Sequence, residues 1–370
     1  MSDTAIDTLK VGIIGTGKIS DAYQTGCTHY HGIELVRCAD LDLDRAKAKA
    51  EEWGVNKHGS VDDLLNDDEV DLVVNLTIPQ AHAEVDRLAL EAGKHVHSEK
   101  PLALNRDEAA PILALAKAKG LRLGCAPDTF LGSGHQLARK CIDDGLIGRP
   151  TSVTAFMLGR GHEHWHPAPE FYYKAGGGPL FDMGPYYLTA LVNMLGPVKR
   201  VAGFVGRAFD ERTISSEPLA GTVMTVDIDT HVAATLEFAS GSIGTLITSF
   251  DIAGHNLPRI QVHGTTGSLD VPDPNGFGGE VKLMPWGESE WQTQDDSHSE
   301  GGQRGAGPAD IAHALVSGRA HRASGDLAFH ILDVMQSIVE AGHQGRVIDI
   351  ASTCERPAAI PAGTPAGVFD

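Results

Sequence analysis

The sequence contains no CxxC pair, and its five cysteines (Cys27, Cys38, Cys125, Cys141 and Cys354) are scattered and odd in number. That argues against a zinc ribbon, a redox dithiol or a dense disulfide framework. No run approaches ~18 uninterrupted apolar residues, so no membrane span is expected. Met1 to Lys10 lacks the basic start and apolar stretch of a signal peptide. These absences point to a reducing cytoplasm. Basic side chains are also short: 30 Lys and Arg stand against 49 Asp and Glu, a net charge of −19. The deficit argues against nucleic acid, because phosphate binding needs cationic side chains to displace counterions. It also argues against docking to an anionic membrane.

What is present is an ordinary soluble composition, 42% hydrophobic and 21% charged. Glycine is high, 43 of 370 residues, or about 12% against a usual ~7%. That implies many tight turns or backbones that approach a ligand closely. At roughly 150 residues per domain the length predicts two or three domains.

The first third alternates apolar β-prone runs (Lys10–Ile14, Ile33–Ala39, Val70–Leu76, His95–His97, Leu121–Cys125) with helical stretches. Leu43–Trp53, Ala81–Ala92 and Arg106–Lys119 each stop at a glycine, which tolerates the left-handed turn that closes a helix. Strands alternating with helices predict βαβ units and a parallel sheet. After about Asp128 the pattern changes. A helix at His135–Asp144, a strand at Thr151–Leu158 and a helix at Met183–Met194 precede a series of strands joined by tight turns. Thr230–Ala239 and Ser242–Phe250 flank a hairpin signal, and Arg259–His263, Gly267–Val271 and Glu280–Met284 follow. A last helix spans about Ala328–Ala341, and the Pro-, Ala- and Gly-rich tail from Pro357 reads as an extended surface strap. The expected fold class is α/β: a Rossmann-type dinucleotide-binding domain over 1–128, then an α+β domain with a large, mainly antiparallel open sheet over 129–370.

The first strand runs into Gly12-Ile13-Ile14-Gly15-Thr16-Gly17-Lys18-Ile19-Ser20. A Walker loop would need Ser or Thr after Lys18 to hold magnesium, and Ile19 cannot. As a dinucleotide loop, Gly15 makes the turn and Gly17 admits a pyrophosphate. Thr16, Lys18 and Ile19 then lie at the helix N-terminus, whose amides hold the charge. Asp40 closes the second strand, 23 residues after Gly17. A carboxylate there binds the adenosine ribose hydroxyls and repels a 2′-phosphate. No Arg follows at once, which favours NAD over NADP.

Further on, Ala92–Ala103 (AGKHVHSEKPLA) resembles the glucose–fructose oxidoreductase / inositol dehydrogenase / MocA family. Thr77-Ile78-Pro79 with His82 is similar to that family's loop after the third main strand, with one residue inserted. Gly176–Gly184 (GGGPLFDMG) and Gly264–Leu269 (GTTGSL) are similar to two further family segments. The resemblance implies NAD bound by a Rossmann domain and a second domain whose open sheet commonly builds homodimers and homotetramers. It implies a cleft between the two that carries hydride transfer on sugars and polyols. It places Thr77, Pro79, His82, Glu99 and Lys100 at the cofactor, and Lys100 also at the reacting hydroxyl.

Alcohol oxidation needs a proton acceptor beside the hydroxyl, and Lys100 is the first candidate. Asp182 and Tyr186 are one helical turn apart and share a face. The family usually carries His where this chain has Tyr186. A neutral Tyr, with a reference pKa near ~10, is a poor base unless a cation such as Lys100 favours its phenolate. Tyr186 could instead orient the substrate beside Lys100 as sole base, or pack as an aromatic. Asp182 could contact substrate, cap a helix, or do both.

In Gly161–Pro167 three His alternate, which on an extended strand would put them on one side. A sugar subsite is favoured there over a metal site or a plain polar loop. His162, His164 and Glu163 would meet hydroxyls, and Trp165 a pyranose face. Asp128, after the fifth strand, sits where open α/β sheets place ligands. Arg319, His321 and Arg322 form a basic cluster suited to an acidic sugar, a subunit interface or a solvated loop.

The sequence thus predicts an NAD-dependent dehydrogenase of a sugar, polyol or glycoside, using Lys100, Asp182 and Tyr186 and no metal. A redox-neutral NAD-dependent glycosidase is the alternative, and a non-catalytic NAD-sensing protein a lesser one.

Overall fold

A computed structural model describes residues 8–299 and 302–369. Most of the segment read as lacking a signal peptide, and the last residue of the tail, lie outside the described residues. The chain divides into two compact units. The first runs to Leu137 and regains Asp296–Phe329 and the stretch from Pro357; the second comprises Ala138–Asp295 and His330–Arg356. A single cut at 128/129 therefore does not describe the partition.

In the first unit six strands form a wholly parallel sheet. They are β1 Leu9–Ile14, β2 Ile33–Ala39, β3 Lys57–Gly59, β4 Leu72–Asn75, β5 His95–Ser98 and β6 Leu123–Cys125. Their order is β3-β2-β1-β4-β5-β6. Val11, Ile13, Leu72, Val73 and Val74 are fully buried, as expected of strands covered on both faces. The helices are α1 Ser20–His29, α2 Leu43–Trp53, α3 Val61–Leu65, α4 Pro79–Glu91 and α5 Arg106–Lys119. Asp42 caps α2 by accepting the Arg45 amide at 3.1 Å, a contact worth about 1 kcal/mol. Gly54 ends it with φ +70°. Strand order reverses at β1, which has β2 on one side and β4 on the other, so ligands belong at the carboxyl ends of these strands.

The segments that return to this unit have a physical reason. One carries α8, Ala306–Ser317, whose Ala309, Ile311, Ala312 and Ala314 are almost fully buried against β2 and β6. The tail is pinned as well. Gln136 Oε1 accepts the Ile360 amide at 2.8 Å, and Phe369 packs on the ring of Tyr30 at 5.6 Å.

The second unit is built on a nine-stranded sheet. Its strands are β7 Pro150–Leu158, β8 Val198–Gly206, β11 His231–Phe238, β12 Ile243–Ser249, β13 Ile260–Gly264, β14 Gly267–Val271, β15 Lys282–Pro285, β16 Gln292–Thr293 and β17 Ile348–Asp349. β9 Glu211–Thr213 and β10 Val223–Thr225 form a separate two-stranded ribbon. The large sheet runs β16-β15-β14-β13-β7-β12-β11-β8-β17. It is antiparallel except where β7 and β12 run together. One face is covered by α7, Gly178–Leu195. The helix α6 Ser133–Asp143 leads into this unit, and α9 Gly325–Gln344 returns to it. The helix expected from Met183 begins five residues earlier, because Gly177 is the cap and Pro179 suits a first turn. Asp182 is therefore inside α7, and the N-cap alternative for it falls.

Candidate active site

In the first unit the expected cofactor residues line the carboxyl ends of β1, β2, β4 and β5. Gly15 has φ +96°, and a Cβ there would lie 2.7 Å from the Leu76 carbonyl oxygen. A Cβ on Gly17 would meet nothing within 4 Å, so that backbone is open to a close ligand. Lys18 and Ile19 are exposed at the start of α1. Asp40, only 6% exposed, accepts the Thr16 amide at 2.8 Å and the Thr16 hydroxyl at 2.9 Å. It also accepts the Asp42 amide at 3.0 Å and the Arg45 guanidinium at 2.5 and 3.2 Å. Burial pushes its pKa up, but these donors outweigh it and hold the carboxyl at about 2. A tight turn, an open glycine and a permanent anion at the second strand end fit a dinucleotide.

Beyond β4, Thr77 donates its hydroxyl to Asn75 Oδ1 at 2.7 Å, and Pro79 opens α4. His82 is buried, with Nδ1 2.6 Å from the Pro101 carbonyl and Nε2 3.0 Å from that of Thr77. Burial lowers its pKa, and a neutral ring carries one N–H, so it donates to one of the two. Both nitrogens face backbone carbonyls. His82 therefore staples the Thr77 loop to the Lys100–Pro101 segment, and a direct cofactor contact is not its geometry.

Glu99 is 8% exposed and accepts the Tyr23 hydroxyl at 2.8 Å and the Lys100 amide at 3.0 Å. Burial opposes its ionisation, but the nearby charges of Arg304 and Lys100 prevail and its pKa is lowered. Lys100 follows at the mouth of β5, partly exposed. Asp128 does not suit a substrate contact. It is fully buried, and its Oδ2 accepts the Gly305 and Gly307 amides at 3.1 and 3.0 Å, where α8 begins.

In the second unit His162–His166 forms a turn closed by the His166 amide on the His162 carbonyl at 3.0 Å. The expected one-sided extended strand is absent there. The segment also spells His-Glu-x-x-His (His162, Glu163, His166), a spacing that ligates zinc when it lies on a helix. Here it lies in a turn. Among the described residues no group of three or more His, Cys, Asp or Glu could hold a metal ion.

His162 Nε2 is 2.9 Å from Asp182 Oδ2, and Trp165 Nε1 donates to His162 Nδ1 at 3.2 Å. Trp165 is 49% exposed, and His164 is exposed. Glu163, expected at a hydroxyl, is instead bound to Arg212 Nη1 at 2.6 Å and to the Tyr173 hydroxyl. Tyr186 lies one turn beyond Asp182 and is 6% exposed. Asp182 and His162 are thus brought together, whereas Glu163 becomes part of the scaffold.

The cluster at Arg319, His321 and Arg322 is internal. Both arginines bind Asp310, at 2.7 and 2.6 Å, and His321 Nε2 meets the Leu123 carbonyl at 3.0 Å. Sequence reasoning missed Tyr23, Arg45, Arg212 and Arg304. Only Tyr23 had a usable signal, since Tyr23, Gly26 and Cys27 make the buried stripe of α1.

Residues 9–126 match the model of an "Oxidoreductase family, NAD-binding Rossmann fold", and residues 135–270 match the "GFO/IDH/MocA C-terminal domain". The chain is 29% identical to the 1,5-anhydro-D-fructose reductase of Ensifer adhaerens over 70% of this chain and 74% of that relative. It is 31% identical to the D-glucoside 3-dehydrogenase of Escherichia coli strain K12 over 65% and 70% respectively. The crystal structure of an NAD binding oxidoreductase from Klebsiella pneumoniae has the same fold. Its TM-score is 0.81 at 23% identity, over 94% of this chain and all of that one. With both halves matched in order, the protein belongs to the GFO/IDH/MocA family of oxidoreductases, and its first unit is an NAD-binding Rossmann domain.

Proposed function

We propose that the protein oxidises a secondary hydroxyl of a sugar, polyol or glycoside. NAD, when bound, supplies the hydride acceptor. Gly15, Gly17 and the α1 amides of Lys18 and Ile19 hold its pyrophosphate, and Asp40 its adenosine ribose, which favours NAD over NADP. The observation that carries the reading is Glu99-Lys100 at the mouth of β5, in the same row of strand ends as the glycine loop and Asp40. Tyr23 fixes Glu99, and Lys100 exchanges a proton with the reacting oxygen. Asp182 and His162 hold a substrate hydroxyl, Trp165 covers a sugar face and Tyr186, one turn beyond Asp182, orients the substrate.

Four cysteines buried as thiols suit a reducing cytoplasm. Among the described residues no helix is long and apolar enough to cross a membrane. The exposed sheet face that carries Phe204 on β8, beside the edge strand β17, suits a second copy of the chain.

The test is NADH absorbance during addition of NAD and a panel of sugars, polyols and glycosides. Lys100→Ala should abolish NADH formation while NADH still binds. Unchanged turnover in that variant would sink the assignment of Lys100. A second reading, the redox-neutral glycosidase, gains from the His162–Asp182 pair, a proton-handling group additional to Lys100. Release of a chromogenic aglycone without NADH accumulation would favour it.

A further inference from the structure

We propose that Asp86 is a positioning residue for NAD: through Asn75, its carboxylate holds the turn that backs the glycine loop. The inference rests on the nucleotide's placement at that loop and goes beyond the dehydrogenase reading. It involves side chains of the first unit alone.

Asp86 lies on α4 with none of its surface exposed, a rare position for a carboxyl. Its Oδ1 accepts the Asn75 side-chain nitrogen at 2.7 Å, and the same nitrogen donates to the His82 carbonyl at 3.2 Å. Asn75 Oδ1 accepts the Thr77 amide at 3.2 Å and the Thr77 hydroxyl at 2.7 Å. These partners fix the orientation of the Asn75 amide. A backbone N–H can only donate, and a carboxylate or carbonyl can only accept. Turning the amide over would lose the Asp86, His82 and Thr77 N–H contacts together.

The turn held in this way abuts the glycine loop. The Leu76 amide donates to the Ile14 carbonyl at 2.8 Å. A Cβ on Gly15 would stand 2.7 Å from the Leu76 carbonyl oxygen and 3.0 Å from the Thr77 nitrogen. On the other side, the Asn75 carbonyl accepts the Glu99 amide at 2.8 Å. A shift of Asn75 therefore reaches both the glycine turn and the Glu99-Lys100 segment.

Burial pushes the Asp86 carboxyl up to about 7, against Asn75 and Ser98, which favour its charge. Ser98 acts from close by, although its hydroxyl and Asp86 Oδ2 are both buried without a partner in hydrogen-bond geometry. Other titratable groups surround this site. Burial keeps His82 on α4 neutral and Cys125 on β6 a thiol. Glu99 and Lys100 follow the end of β5. His97 lies on the face of β5 opposite Ser98, toward Gly307. The buried face of α5 is Ala109, Ile112 and Ala116, and β4 is Leu72–Asn75, so neither adds charge. An ionised carboxylate binds a donor roughly twice as strongly as a neutral one. Acid therefore loosens the hold on Asn75, and NAD binding should favour the ionised form.

The experiment measures NADH affinity by fluorescence titration of the full chain across about pH 6–8. It compares the wild type with Asp86→Asn, Ser98→Ala and Gly17→Val. Wild-type affinity should rise with pH by about 5–10-fold, the difference between a neutral and a charged hydrogen bond. Linkage then requires NADH binding near neutral pH to release protons, read by calorimetry in two buffers of different ionisation enthalpy. Asp86→Asn keeps the shape but cannot ionise. It should show the acid-limb affinity at every pH and release no protons. Ser98→Ala removes a group that favours the charge, so the inflection should move to higher pH. A side chain at Gly17 meets nothing in the protein but obstructs the pyrophosphate, so Gly17→Val should abolish binding.

A flat wild-type profile, proton uptake on binding, or an Asp86→Asn profile that follows the wild type overturns the role of Asp86. Wild-type affinity in Gly17→Val instead overturns the placement of the nucleotide, and the proposal falls with it.

Discussion

Asp40 and Arg45 face each other across the first turn of α2 as a two-point ion pair, with Arg45 Nη2 2.5 Å from one carboxylate oxygen and Nε 3.2 Å from the other. Arg45 remains half exposed, so the guanidinium is within reach of solvent while bound to the acid. With the adenosine ribose at Asp40, as proposed, the pair would make cofactor choice a property of two residues. Asp40→Ala should weaken NADH binding by roughly 10–100-fold, since a hydrogen bond to a charged group is worth about 1.5–3 kcal/mol. The same change leaves Arg45 for a 2′-phosphate, so NADPH should bind more tightly than in the wild type. Fluorescence titration with both nucleotides measures this. A variant in which NADPH affinity falls in step with NADH would contradict it.

Asp310 offers a second test, of scaffold and not chemistry. Its carboxylate is fully buried between Arg319 and Arg322. Removing one member of a buried ionic cluster leaves the others uncompensated, at a cost of about 3–5 kcal/mol. Asp310→Ala should lower stability by that order in urea unfolding. Adding Arg322→Met should restore part of the loss, because the stranded charge is then gone. Two losses that simply add would show that the residues do not act as a unit.

The pH dependence of stability should carry the mark of His330. Its Nε2 accepts the Val198 amide at 3.0 Å, and Nδ1 lies 3.0 Å from the Ser352 hydroxyl. Burial lowers its pKa from 6.5 to about 4. Between those values the unfolded chain binds a proton that the native ring refuses, so stability falls as pH drops through this window. At about 1.36 kcal/mol per unit the loss is about 3 kcal/mol. Above the unfolded value both states are neutral and the contribution is flat. His330→Gln should flatten the fall between pH 6.5 and 4 in urea unfolding. An unchanged slope would remove His330 as its source.

The geometry of the candidate nucleotide site was legible in the sequence because its parts are local. A turn glycine, an open glycine and an acid at the next strand end are set by consecutive residues and one strand length. The second unit's candidate site was only half legible. Asp182 and His162 meet because a turn, not a strand, carries the histidine, and nothing in residues 161–166 encodes the Arg212 that redirects Glu163. Arg212 sits on a three-residue strand, too short for any period to register. Helix α8 escaped for another reason: AGPADIAHALVS is apolar nearly all round, so it shows no amphipathic stripe. The Arg319–Arg322 cluster looked exposed because its partner, Asp310, lies on that unrecognised helix.

The open face of the large sheet bears on assembly. Phe204 is 78% exposed near the end of β8. Register places it beside Ala233, Ala233 beside Ile247, and Ile247 beside Phe156, a row crossing four strands. Aligned residues on adjacent strands point to the same side. A contiguous apolar row on a water-facing sheet is characteristic of an interaction surface. If two copies meet there about a two-fold axis, each contributes its own Phe204, and any change counts twice. Burying one such ring is worth about 1.5–3 kcal/mol, and a carboxylate in its place adds a desolvation cost. Phe204→Glu should therefore convert a dimer or tetramer to smaller species in light scattering after size exclusion, with NADH binding retained. A wild-type chain that is monomeric at micromolar concentration, or a variant that elutes unchanged, would remove this face as the interface.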